Sequence, residues 1–134
     1  MICIFCSNPL KKNAIKYCSG KCQQEHSWDE RKKQFEKDGF WKGVNSETVI
    51  TRHSKRYLIE TKGICCEICG TTEWCDKPVP LVLDHIDGHS ENNKLSNLRL
   101  VCGNCDMQLA TYKSKNKGNG RHERRQRYAE GKSY

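Results

Sequence analysis

Eight of the chain's ten cysteines fall into four short-spaced pairs, and that pattern constrains the fold more than any other feature. Of the 134 residues only 35% are apolar, against 30% charged, so burial alone would leave the chain marginally stable. Cross-linking through the cysteines is the obvious supplement. Cys3, Cys6, Cys18 and Cys22 make a C-x2-C…C-x3-C pattern, and Cys66, Cys69, Cys102 and Cys105 make two C-x2-C pairs separated by a 32-residue insert. Two close pairs suit tetrahedral zinc, because each forms a knuckle and the intervening chain brings the knuckles together. Four cysteine ligands leave no open position, so two structural rather than catalytic zinc ions are expected. His26 could compete as a ligand but is read as an exposed histidine. Cys65 and Cys75 are left over, with burial as small apolar residues the default for each. Cys65 could swap with its neighbour, although the C-x2-C spacing favours Cys66.

Compartment and charge narrow the function. The apolar stretch Met1 to Phe5 is shorter than the roughly 7–15 residues of a signal-peptide core, so the chain is expected to stay in a reducing cytoplasm. There, paired cysteines read as metal sites rather than disulfides. No run approaches the ~20 apolar residues of a membrane span, so no membrane partner is expected. The formal net charge is +8, and residues 113 to 134 carry eight Lys or Arg against Glu123 and Glu130. Each four-thiolate zinc site adds a charge of about −2, which leaves the body close to neutral or acidic beneath a basic tail. Such a tail fits a polyanion approached from one side, or equally a solvated end.

Four regions are expected: a four-cysteine zinc module at 1–26, a linker helix and loop at 27–46, a main domain at 47–120 and the basic tail at 121–134. Ser27-Trp28-Asp29-Glu30 reads as a helix N-cap with a capping-box glutamate, and that helix stops near Gly39. Its mostly charged interior, with Phe35 the only large apolar residue from Asp29 to Asp38, suggests a spacer or clamp. A second helix is expected from Glu47 to Lys62, with Ile50, Tyr57 and Leu58 on one face and Gly63 as C-cap. His53 near that face reads as packing or solvent contact. Leu81-Val82-Leu83 reads as a strand running into Asp84-His85-Ile86-Asp87-Gly88. Asn97 to Val101 reads as a second strand, and Asn104 as the cap of a short helix from about Cys105 through Leu109. The two strands form a hairpin with the helix across it, which can bring Asp106 near Asp84. The expected class is therefore a small, metal-stabilised α+β fold.

The stretch LVLDHIDGHSENNKLSNLRLVCGNCDMQLATYKSKN, with CEICG upstream, resembles the HNH endonuclease family in its zinc-stapled ββα-metal form. The resemblance covers roughly residues 50 to 120. Phage-type members also look similar at the N-terminal knuckles and in the tail KNKGNGR, and a phage-encoded protein of this kind would work in the host cytoplasm.

The resemblance implies a role for each motif position. His85 would be the general base that takes a proton from the attacking water; an imidazole with an ordinary pKa of about 6.5 is mostly neutral at neutral pH and suits that task. Asp84 would bind a divalent cation, and Asp106, where the family usually has its last histidine, would be the second protein ligand. Asn97 would hold the loop and orient His85 through backbone hydrogen bonds. Two carboxylates make a harder site than Asp plus His, which points to Mg or Mn as the catalytic ion. The bland alternative is that Asp106 merely favours a helix N-terminus. Strict strand alternation sets Asp84 and His85 on opposite faces, so the strand must bend or end there for both to serve one phosphate. Asp87 is expected to support the turn or the residues behind the site, and His89 to be exposed. Arg99 could contact phosphate or be an ordinary surface cation.

Two functions from different classes follow. The first is a metal-dependent endonuclease acting on duplex DNA, with the tail and the N-terminal module contacting phosphates. The second is a non-catalytic, zinc-dependent nucleic-acid-binding protein. Asp84 and His85 separate them, because a pure binder gains nothing from a carboxylate facing phosphate. One active site cuts one strand, so a monomer would nick.

Overall fold

The computed structural model describes residues 1–116 and 122–132. It divides into two compact units, Met1–Gly43 and Val44–Tyr134. Among the described residues no helix is long and apolar enough to cross a membrane.

In the first unit, the Cys3–Cys6 knuckle is tied by hydrogen bonds from Cys3 N to Asn8 O (2.8 Å) and from Ser7 N to Cys3 O (2.9 Å). Helix α1 spans Gly20–Asp38, starting well before the expected Ser27. Its N-cap is Ser19, whose Oγ accepts from Cys22 N at 3.2 Å. The early start places Cys22 in the first turn, so the second knuckle is itself a helix N-terminus, and Ser27 lies inside the helix instead of capping it. The stop at Gly39 is as expected: it takes φ +77° and donates its N–H to Phe35 O at 2.7 Å. The chain reversal there returns Trp41 to the helix. Trp41 stacks on Phe35 with ring centroids 4.2 Å apart and on Trp28 at 5.5 Å. All three rings are buried, so α1 carries an aromatic core of its own and is more than a charged spacer. His26 is not an isolated surface group either, since its Nδ1 is 3.0 Å from Tyr17 Oη.

The second unit opens with α2, Glu47–Lys62, at the expected boundaries, and Gly63 N–H closes it on Ile59 O at 2.9 Å. Next comes a small antiparallel hairpin of β1 (Glu73–Trp74) and β2 (Lys77–Pro78). Its two-residue turn, Cys75 and Asp76, has positive φ at both positions, the conformation whose twist matches a tight hairpin. Cys75 is exposed there and Cys65 is half-buried, so neither leftover cysteine is the buried apolar residue expected.

The main hairpin pairs β3 (Leu81–His85) with β4 (Leu98–Cys102) in antiparallel register, from Leu81 opposite Cys102 to His85 opposite Leu98. A 3-10 turn at Leu95–Asn97 leads into β4, and helix α3, Gly103–Met107, packs against both strands. Helix α3 begins with Cys102 in the cap position, so Asn104 sits in its first turn rather than capping it, and Leu109 lies beyond its end. The helical turn itself closes the Cys102–Cys105 knuckle. A 3-10 turn at Lys113–Asn116 and helix α4, His122–Ala129, follow. Residues 117 to 121 of the KNKGNGR resemblance lie outside the described residues. The result is a small α+β fold.

The core of this unit gathers Leu58 from α2, Cys66, Val79, Leu81, Leu98, Leu100, Val101 and Cys102. The first knuckle is fastened to the outer edge of β4. Glu67 N donates to Leu100 O at 2.8 Å, and Leu100 N donates back to the Glu67 carboxylate. Lys62 at the end of α2 reaches the same carboxylate at 2.7 Å. Burial raises the Glu67 pKa, but Lys62 and the Leu100 amide outweigh it and hold the carboxyl below its ordinary value. One glutamate thus joins helix, knuckle and strand. Leu100 is fully buried in this junction. Leu100→Ala should cost about 2–5 kcal/mol, read as a lower urea midpoint, and an unchanged midpoint would contradict the packing described.

Candidate functional site

The two cysteine sets expected from spacing are both assembled. In each, the four Sγ atoms lie within 4.8 Å of one another: Cys3, Cys6, Cys18 and Cys22 in the first unit, and Cys66, Cys69, Cys102 and Cys105 in the second. All ten cysteines are free thiols. The Sγ separations are 3.5 Å for Cys6–Cys18, 3.4 Å for Cys18–Cys22 and 3.8 Å for Cys69–Cys102. A zinc tetrahedron with bonds of ~2.3 Å has edges of about 3.8 Å, so the sets fit that ion. Their electrostatics agree. Burial raises Cys3 and Cys66, yet surrounding backbone amides outweigh it and bring each down to about 6. Cys18 is pushed up to about 12 by the thiols of Cys22 and Cys6, and Cys105 to about 12 by burial and then by Cys69, Cys102 and Cys66. Amide donors favour the first thiolate in each set, and crowding opposes the last. A central cation removes that conflict.

The polar groups sit where β3 ends and α3 begins. Asp84 is only 9% exposed, and its Oδ2 is 2.6 Å from Nε of Arg99, its direct cross-strand partner. Arg99, expected either at phosphate or as a surface cation, therefore compensates the buried Asp84 carboxylate. Asp106 lies in the first turn of α3. Its carboxyl is raised by burial and then by the charge of Asp84, with Lys113 opposing. The fold thus brings Asp84 and Asp106 within each other's field, across 22 residues of sequence. Like charges in that relation disfavour ionisation of the second carboxyl.

His85 is the last residue of β3. Beyond it Ile86 N still donates to Asn97 O at 2.8 Å in the same register, and the chain then turns, with Gly88 N donating to His85 O at 2.9 Å and Gly88 at φ +76°. Asp84 and His85 are both paired within β3, opposite Arg99 and Leu98, so the strand ends only after the two of them. The His85 ring is held through Nε2, 2.8 Å from Asn93 Oδ1.

Between the strands, the loop is built around Asp87 and Asn97. Asn97 Oδ1 accepts from Asp87 N at 3.1 Å, while its Nδ2 donates to Asp87 Oδ1 and to Asn92 O, both at 2.9 Å. Asp87 also accepts from Asn92 Nδ2 and from His89 N, each at 2.8 Å. These donors, Asn92 and the His89 amide first, pull the Asp87 carboxyl down to about 2. The side chain of His89 itself is exposed. Asn97, 9% exposed, therefore grips the loop on either side of its tip, and its side chain reaches Asp87 and Asn92 rather than the His85 ring. Sequence reasoning missed Asn93 and the Asp84–Arg99 pair. The strand register would have revealed Arg99, but no spacing rule marks Asn93 among the loop's three asparagines and their polar neighbours.

No protein-family model matches the chain, and no solved structure matches it significantly. A curated protein, H-N-H endonuclease F-TflIV of Escherichia phage T5, is 49% identical over 53 residues. The matched stretch is 40% of this chain and 23% of that protein, so the chain corresponds to about a quarter of its relative's length.

Proposed function

We propose that this chain is a metal-dependent endonuclease of the HNH type that hydrolyses phosphodiester bonds in duplex DNA. The observation that carries this reading is the charge interaction between Asp84 and Asp106 where β3 meets α3, with His85 following Asp84 as the last residue of the strand. The similarity to a phage H-N-H endonuclease supports it independently. A nucleic-acid binder without catalysis has no use for two acidic groups at such a place, since both repel phosphate.

His85 acts as general base, taking a proton from the water that attacks phosphorus in line. Asp84 and Asp106 hold the divalent cation. A divalent ion held by these two carboxylates would supply Lewis-acid stabilisation of the charge that develops on the phosphate and on the departing 3′-oxygen. The products carry 5′-phosphates. Asn97 keeps the 86–97 loop in register so that His85 stays at the strand end. Arg99 compensates Asp84 from the neighbouring strand. The two cysteine sets hold structural zinc, and the basic residues from Lys113 onward supply phosphate contacts. The site of action is the host cytoplasm, if the chain is phage-encoded, and a single copy nicks one strand.

The carboxylate pair gives this reading its most specific consequence. Mg or Mn should support the fastest plasmid cleavage, with Zn and Ni poorer, because both candidate ligands are hard oxygen donors. A titration of the four ions in which Zn or Ni gave the highest rate would remove Asp106 from the ligand set.

A further inference from the structure

We infer that Asn93 is a positioning residue that fixes the tautomer of His85, placing the imidazole proton on Nε2 and leaving Nδ1 as the atom that accepts the proton from water. The inference rests on the general-base reading of His85 for its catalytic consequence, though not for its structural content.

The geometry runs from the amide outward. Asn93 Oδ1 is 2.8 Å from His85 Nε2, a distance at which one atom must donate. The orientation of the amide decides which. Its other end, Nδ2, is directed at the Glu91 carbonyl at 3.5 Å, so the oxygen faces the ring. A carbonyl oxygen can only accept, and the ring must therefore donate from Nε2. A neutral imidazole carries one N–H, so its lone pair lies on Nδ1.

Asn93 is itself held. Its backbone N–H donates to Glu91 O at 3.1 Å, and the preceding carbonyl, Asn92 O, accepts from Asn97 Nδ2 at 2.9 Å. Asn97 therefore reaches His85 through one intermediate: it fixes the 92–93 peptide, and Asn93 fixes the ring. The acceptor opposite Nε2 also stabilises positive charge on the ring once Nδ1 takes a proton, as the orienting group does in other base-assisted hydrolyses.

The test compares the full chain with Asn93→Leu, which keeps the volume and removes the acceptor, and with Asn93→Asp, which keeps an acceptor oxygen. Long-range 15N–1H correlation spectra of the zinc-loaded proteins, taken over a pH series, report which nitrogen carries the proton. The wild type and Asn93→Asp should show the Nε2–H form of His85, and Asn93→Leu should show a mixture with Nδ1–H. In parallel, Asn93→Leu should lower kcat by about 10–100-fold with KM unchanged, and Asn93→Asp should recover most of that loss. An Nδ1–H form in the wild type, or a wild-type spectrum in Asn93→Leu, would overturn the inference. The expected spectra without any cleavage by the wild type would uphold the role of Asn93 at the ring and refute the nuclease reading instead.

Discussion

His85→Ala should lower the rate of phosphodiester cleavage by about 10²–10⁴-fold, the usual contribution of a positioned general base. His85 is partly exposed at the end of β3 and lies outside the buried core, so its loss removes a ring and one hydrogen bond to Asn93 without opening a cavity. Zinc content, secondary structure and DNA affinity should therefore stay at wild-type levels. That separation makes the prediction sharp: a variant that binds DNA, keeps its zinc and still cleaves at the wild-type rate would remove His85 from the chemistry. Asp84→Ala is a less clean experiment. It would leave the Arg99 guanidinium without its carboxylate partner, adding a structural cost to any catalytic one.

Stripping zinc should have the largest effect on the fold. Structural four-ligand zinc sites contribute apparent binding free energies on the order of 10–16 kcal/mol, which exceeds the total stability of most small domains. In the second unit the Cys66 knuckle supports β4, and Cys102 N donates to Cys66 Sγ at 3.2 Å, so ligand set and core share atoms. Removal of the ion returns four crowded thiols, with Cys105 pushed up to about 12 by burial and by its neighbours. A thiol-competent zinc chelator should therefore abolish the circular-dichroism signal of the folded state and cleavage together. Added Mg should not restore either, whereas two equivalents of zinc per chain should. Retention of fold and activity in fully zinc-free protein would show that the cysteine sets are not what holds this chain together.

Much of this was legible because short-range chemistry encodes it. The C-x2-C and C-x3-C spacings identify both ligand sets, since the spacing is what lets two thiolates meet one ion. The extent of α2 follows from the shared face of Ile50, Tyr57 and Leu58 and from Gly63 at its end, and the β3–β4 hairpin follows from two apolar runs flanking a polar loop. What was not legible depends on pairing between distant residues. The local capping-box pattern at Ser27-Trp28-Asp29-Glu30 pointed to Ser27 as the cap of α1. The assembled cysteine set contains Cys22, which takes a helical first turn capped by Ser19. Phe35 looked isolated because Trp41 reaches it only after the chain reverses at Gly39. Glu67 reads as an ordinary knuckle residue until the knuckle docks on Leu100. Asp84, His85, Asn97 and Asp106 are proposed from their positions in a motif. Their partners Arg99 and Asn93 follow from strand register and loop geometry, which the motif does not specify.

The central claim is that the Asp84, His85 and Asp106 junction is a metal-dependent catalytic centre and not only part of a nucleic-acid-binding surface. Its most direct test is supercoiled plasmid incubated with the zinc-loaded chain and Mg, with and without EDTA, at a concentration where DNA binding is saturated. The account predicts nicked circles that accumulate with Mg and vanish with EDTA. Saturated binding with no metal-stimulated nicking would contradict it and leave a zinc-stabilised nucleic-acid binder in its place.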